Sequence, residues 1–301
     1  MELSDKKFAV LIDADNISHR KIKDILDEIA NYGTPTIKRI YGDFTDPKFA
    51  AWKSVLLENS ITPIQQYAYT TGKNATDSAL IIDAMDILHK ESVNGFCIVS
   101  SDSDYTRLAS RIRESGREVL GFGEKKTPKP FIKSCDKFIY VEILGQPAPA
   151  PAPVSAPAQT AAAVPAAKAA TPKKPAKKHQ GRNAPETDMP EAAPAEPAAA
   201  EKKVAPAPDT AQPQPIIRPI DDDFKTLLAN TIEDAADDSG WAFLGIVGGV
   251  LTKKMPDFDP RNYGYKKLSL LVKSLSKIVE IEERPSENKE LKLVYVRNRI
   301  R

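Results

Sequence analysis

The chain has 301 residues, 41% hydrophobic and 28% charged, a length that suggests about two domains, each able to bury its own core. A net charge of +2 and a pI near 8.3 permit nucleic-acid binding without requiring it. With cysteine only at Cys97 and Cys135, neither a disulfide framework nor a four-thiolate zinc site can be built, and the charged start MELSDKK with no apolar run near ~20 residues predicts a cytoplasmic protein that does not meet a membrane.

In chain order, short apolar runs alternate with amphipathic segments, as in a parallel sheet covered by helices. Phe8–Ile12 predicts a first strand. Ser18 caps a helix whose Ile22, Ile25, Leu26 and Ile29 share one face, ended by Gly33. A strand over Thr36–Tyr41 follows, then a helix opened by Asp46 and Pro47 that runs through Val55 and Leu56, then a strand from Ile61 to Tyr67. Asn74 or Thr76 starts the longest helix, with Leu80, Ile81, Ala84, Ile87 and Leu88 as its stripe. The apolar run Phe96–Val99 reads as a strand buried on both faces. A helix from Tyr105 to Glu114, stopped by Gly116, and strands over Val119–Phe122 and Phe138–Val141 complete a doubly wound α/β domain expected over residues 1–145.

Sixteen of the 25 prolines lie between Pro147 and Pro215, among Ala and Lys, so no core can form there. Residues 146–218 are expected to be a disordered, extended linker. Within it, Lys168, Lys173, Lys174, Lys177, Lys178, His179 and Arg182 form a basic run that either holds phosphates or only solubilises. A coil of that length would set the flanking domains roughly 45 Å apart. Residues 219–301 predict three helices, carrying Phe224, Leu227, Leu228 and Ile232, then Trp241, Leu244, Val247 and Leu251, then Leu268, Leu271, Val272 and Leu275. Two alternating strands, Val279–Glu283 and Leu291–Val296, are joined by a polar turn through Pro285 to Lys289, which gives a winged helical form.

Chemistry concentrates in the acidic residues at strand ends. Asp13 closes the first strand in FAVLIDADN, and Asp102 and Asp104 follow the fourth in CIVSSDSDY. In an open α/β sheet the ligand crevice lies beyond the carboxyl ends of the strands. Asp77 falls in the first turn of the long helix, and the spacing 77, 81, 84, 88 turns it toward the sheet. Carboxylates gathered there repel by ~1 kcal/mol per pair at 4 Å in water and ~4 at an effective dielectric of 20. A bound cation would relieve this. Oxygen ligands without His or Cys suit Mg²⁺ or Mn²⁺, and phosphodiester hydrolysis is the natural chemistry of such a site. A plainer reading makes each Asp a helix cap or turn former. Asp83 and Asp86 read as solvated helix residues, Asp15 is weaker than the four, and His19 and His89 have no partner pattern that marks a base.

LIDADNI, KNATDSALIIDAMDIL, GFCIVSSDSDYTRLASRIRESG and VLGFGEKKTPKPF together resemble the NYN domains of the PIN-like nuclease superfamily, over about Lys7 to Glu142. The resemblance implies that the first and fourth strands are adjacent. It also implies metal-binding, catalytic roles for Asp13, Asp77, Asp102 and Asp104, with Asn16 and Ser101 as supporting polar groups. WAFLGIVGGVLTKKMPDFDPRNYGYKKLSLLVKSL resembles the OST-HTH or LOTUS domains, which are similar to RNA-binding winged helices and in some cases bind protein partners. Lys73, Arg107, Lys125, Lys126 and Lys129 in the first domain, and Lys253, Lys254, Arg261, Lys266, Lys267 and Lys273 in the second, suit contacts to an RNA backbone. Tyr67, Tyr69 and Phe131 suit base stacking or core packing, and Tyr263 with Gly264 shapes a turn. The expected function is a metal-dependent endoribonuclease with a tethered RNA-binding domain. A non-cleaving RNA-binding adaptor is one alternative. A haloacid-dehalogenase-like phosphatase using Asp13-Ala14-Asp15 is another, although Asn16-Ile17 replaces the usual Gly-Thr.

Overall fold

The computed structural model describes residues 6–67, 75–145, 217–285 and 292–299. Residues 146–216 of the proposed linker, with its basic run, and also Tyr69, Lys73 and Asn74, lie outside them, whereas Arg218 at its expected end belongs to the folded part, its N–H donating to the Asn262 carbonyl at 2.7 Å. The N-terminal part orders its elements as β1 (Lys7–Asp13), α1 (Ile22–Ile29), β2 (Thr34–Gly42), α2 (Trp52–Asn59), β3 (Thr62–Gln65), α3 (Ala75–Lys90), β4 (Gly95–Val99), α4 (Thr106–Glu114), β5 (Glu118–Gly123), α5 (Lys129–Ser134) and β6 (Lys137–Tyr140). The short helix α5 was not anticipated. Ser18 accepts from the Arg20 N–H and Asp46 from the Lys48 N–H, so both expected caps form, each opening a single 3₁₀ turn ahead of its α-helix.

The strands form one sheet in the order β3-β2-β1-β4-β5-β6, and every pair is parallel. Period-two alternation divides β1 between two cores. Phe8, Val10 and Ile12 pack with Ile22, Ile25, Ile29, Trp52 and Leu56 of α1 and α2. Ala9 and Leu11 face Leu80, Ala84 and Ile87 of α3 and Leu108, Ala109 and Ile112 of α4. Helices therefore cover both faces, and the strand order reverses between β1 and β4. That is the point where diverging connections leave a crevice.

The C-terminal part comprises α6 (Asp222–Asp234), β7 (Ala242–Phe243), α7 (Leu244–Lys254), α8 (Leu268–Ser274), β8 (Val279–Pro285) and β9 (Lys292–Asn298), with the strands in antiparallel order β7-β9-β8. Phe224, Leu228, Val247, Leu251, Leu271 and Val272 make its core. Gly264, with φ of 82°, ends the turn Pro260–Tyr263 in the left-handed region that glycine tolerates.

The two parts pack directly, within one compact unit, so the ~45 Å separation of a free tether does not describe them. The backbone N–H of Phe138, on the edge strand β6, donates to the Pro256 carbonyl at 2.8 Å, which covers an edge that would otherwise invite strand pairing. Arg261 makes a bidentate pair with Glu28 of α1, at 3.0 and 2.9 Å, while also reaching Asp259. Tyr140 and Arg218 both donate to the same oxygen of Asp257 at 2.8 Å.

Gly95 starts β4 in a tight place: a Cβ there would lie 2.5 Å from the Phe8 ring and 2.7 Å from the Glu118 carbonyl oxygen. Gly95→Ala should therefore cost about 1–3 kcal/mol through overpacking, read as a lower urea midpoint. An unchanged midpoint would contradict the packing described here.

Candidate active site

Asp13 sits where β1 ends, and it is fully buried. Its Oδ1 accepts from the Asp15 N–H at 3.1 Å, and its Oδ2 accepts from Asn16 Nδ2 at 2.7 Å and Ser100 Oγ at 2.8 Å, with the Tyr105 hydroxyl at 3.4 Å. Burial pushes its pKa up, the Asn16 and Ser100 bonds pull it back, and repulsion from Asp77 adds to the rise. Ser100 also accepts from the Asp102 N–H at 3.0 Å. The buried carboxylate thus fixes the chain leaving β4.

Asp102 caps the turn that leads into α4, accepting from the Asp104 N–H at 2.9 Å. The plain capping role is real, but it does not account for the neighbouring groups. Asp77, in the first turn of α3, accepts from the Tyr105 hydroxyl at 2.7 Å. Burial raises the Asp77 pKa, the Tyr105 bond lowers it, and Asp102, Asp104 and Asp15 raise it by repulsion. Tyr105 is itself held far above the ordinary phenol range by burial and by Asp13, so it remains a hydrogen-bond donor.

Carboxylate oxygens of Asp77, Asp102 and Asp104 lie within 4.8 Å of one another. Two opposite ligands at about 2.1 Å from one Mg²⁺ span ~4.2 Å, so small side-chain adjustments would bring these oxygens onto one hard cation. The donor set fits Mg²⁺ or Mn²⁺. Asp13 is not in this group. It lies beneath, joined to it through Ser100 and Tyr105.

Asn16 donates its amide to Asp13 Oδ2 at 2.7 Å. Ser101 instead accepts from the Glu124 N–H at 2.8 Å, tying the connection after β5 to the Asp102 loop. Ser100 and Tyr105 were missed. A clue was present in the first serine of SSDSD, but only tertiary structure shows which hydroxyl faces Asp13.

Of the expected phosphate-binding residues, Arg107, Lys125, Lys126, Lys129, Lys253, Lys254, Lys266, Lys267 and Lys273 are exposed. Lys126 pairs with Glu124 at 2.8 Å, Lys254 with Asp234 at 2.6 Å and Lys273 with Glu283 at 2.9 Å. Arg261 is the exception, because its guanidinium is engaged by Glu28 and Asp259. Its role is domain packing. Phe131 is fully buried and belongs to the core, which removes it as a stacking surface, whereas Tyr67 is 52% exposed. Asp83 is not solvated as expected: it accepts from both Arg39 and Tyr41. Asp86 does lie at the surface, paired with Lys90.

Comparison with protein-family models gives a match to the NYN domain over residues 7–143 and to the OST-HTH/LOTUS domain over residues 215–291. A solution NMR structure of an uncharacterized protein from Nitrosomonas europaea is similar at 35% identity, covering 34% of this chain and 94% of that one, with a TM-score of 0.26. A crystal structure of a protein of unknown function from Vibrio parahaemolyticus is similar at 20% identity, covering 46% and 96%, with a TM-score of 0.39. No curated protein matches the chain. Among the described residues no helix is long and apolar enough to cross a membrane.

The raised Asp77 pKa has a definite sign in stability. The folded chain binds a proton at Asp77 at a pH where the unfolded chain has lost it, so this group adds stability as pH falls from neutral through the raised value, down to the ordinary carboxylate value. Tyr105→Phe removes a hydrogen bond to the charged form. It should cost about 1.5–3 kcal/mol at pH 7 and less once Asp77 is protonated, measured by urea unfolding across pH. A cost independent of pH would argue against this coupling.

Proposed function

From an NYN domain at residues 7–143 and an OST-HTH/LOTUS domain at residues 215–291, we propose that this chain is a metal-dependent endoribonuclease that hydrolyses RNA phosphodiester bonds. The NYN domain belongs to a nuclease superfamily. The observation that carries the reading is the convergence of Asp77, Asp102 and Asp104 from two separate stretches of chain.

In this reading Asp77, Asp102 and Asp104 hold Mg²⁺ or Mn²⁺. Such an ion lowers the pKa of a coordinated water and offsets charge on the phosphoryl oxygens. The protein's own work is placement. Asp13 acts through Ser100 to hold the Asp102 backbone, and Tyr105 orients the Asp77 carboxylate. Arg107, one helical turn beyond Asp104, and the lysines after β5 suit phosphate contacts that position the strand without reading bases. The buried state of Asp13, held by three hydrogen bonds, suits an anchor. It does not suit the accessible nucleophile that a phosphoaspartyl mechanism needs.

With labelled single-stranded RNA and Mn²⁺, the wild-type chain should cut, and EDTA should stop it. Asp102→Asn and Asp104→Asn should each lose at least about 100-fold in rate, the scale for removing one preorganised electrostatic group. Cleavage unchanged in both variants would rule the mechanism out. RNA binding with no cutting over many substrates would support the adaptor instead.

A further inference from the structure

Resting on the nuclease reading, we propose that a cleft shared by the two domains binds the phosphate backbone of the RNA strand on which the carboxylate centre acts. The cleft encloses about 590 Å³, within the ~300–1,000 Å³ of ligand sites. Lys125, Lys129 and Lys133 line it from the α/β side and Lys254 from the C-terminal domain, with Tyr140 and Tyr263 between them.

Three carboxylates also line this cleft: Asp221, Asp223 and Asp257. Asp257 is engaged by Arg218 and Tyr140, and Asp221 caps α6 through the Phe224 N–H at 2.8 Å. Among the described residues that line the cleft, Asp223 is the carboxylate without such a task, and although Lys254 pairs with Asp234 at 2.6 Å, Lys129 and Lys133 still outweigh Asp223, so the balance favours an anion. Lysine heads offer point charges to phosphates and no base readout, so the partner is a nucleic-acid backbone in no particular sequence.

The position ties the cleft to the centre. Ser101, next to Asp102, holds the Glu124 N–H, and Thr127 closes the same connection by donating its hydroxyl to the Glu124 carbonyl at 2.6 Å. That braced segment carries Lys125 and leads to Lys129, so the lysine wall is anchored to the catalytic loop. A larger cleft of about 990 Å³ reaches Glu118 and Lys137, which start β5 and β6. It therefore opens at the opposite ends of the strands, away from the carboxylates.

The test uses the full chain in an Asp102→Asn background, so that binding is measured without cutting. Anisotropy of fluorescein-labelled oligouridine would be followed over a series of KCl concentrations for Lys129→Ala, Lys254→Ala and the double variant. Each single change should reduce the slope of log affinity against log salt by about 0.7, and the double by about 1.4. Lys90→Ala, on the far end of α3, should leave it unchanged, and Lys129→Arg with Lys254→Arg should restore it. Unchanged slopes in both alanine variants, or an effect confined to Lys254→Ala, would overturn the shared cleft while leaving the nuclease reading intact. Displacement by an acidic peptide but not by RNA would assign the cleft to a protein partner and likewise overturn the proposal. A wild-type chain that neither binds nor cuts RNA would sink both.

Discussion

A carboxylate sealed from water at the end of β1 governs the geometry of the site. Desolvating such a charge costs several kcal/mol, and hydrogen bonds to an ionised group return about 1.5–3 kcal/mol each. Asp13 is tolerable because donors reach it from its own turn and from Ser100 beyond β4, with the Tyr105 hydroxyl 3.4 Å away. Satisfying one charge thus sets the exits of the two central strands. Tyr105 also reaches Asp77, which brings the first turn of α3 under the same constraint. The three outer carboxylates are placed by the hydrogen bonds that the inner one requires.

The contact between the domains is built on the same principle, with charges neutralised in place. Arg261 meets Glu28 through a planar fork that matches both carboxylate oxygens. Asp257 takes donors from Tyr140 and Arg218. Lys137, between Tyr32 and these groups, has its pKa lowered by burial, with Asp259 and Glu28 opposing the shift. An interface of this kind fixes orientation more than it adds stability. Orientation is what a shared track for a long, charged strand requires.

Much of this was legible in the sequence. The apolar runs of β1 and β4, the stripe of α3 and the caps at Ser18 and Asp46 are local signals, and local signals survive folding when the elements pack as their periodicities demand. The adjacency of β1 and β4 came only with the NYN resemblance, and the pairing of Val10 with Cys97 bears it out. The misses have one cause. Ser100, Tyr105, Arg261 and Asp83 acquire their roles from partners distant in the chain, and no spacing records which hydroxyl or guanidinium will face which carboxylate. Phe131 was open between base stacking and core packing, and α5 turns it into the core beside Phe138.

Neighbouring carboxylates supply an internal control for the electrostatic argument. Asp15, at the same rim, has Lys48 at 2.8 Å, and Asp83, on the same helix as Asp77, has Arg39. Cations are therefore available to this face of the domain and are used. Among the described residues, neither Asp77 nor Asp102 has a cationic partner, although each is only partly exposed and each lies close to a further carboxylate. A chain shaped by stability alone would have no reason to give Asp15 and Asp83 a cation while Asp77 and Asp102 have none among the described residues, at ~1 kcal/mol or more for each pair that repels. A divalent cation held among Asp77, Asp102 and Asp104 would relieve that repulsion, and by binding the folded chain alone it would add to stability.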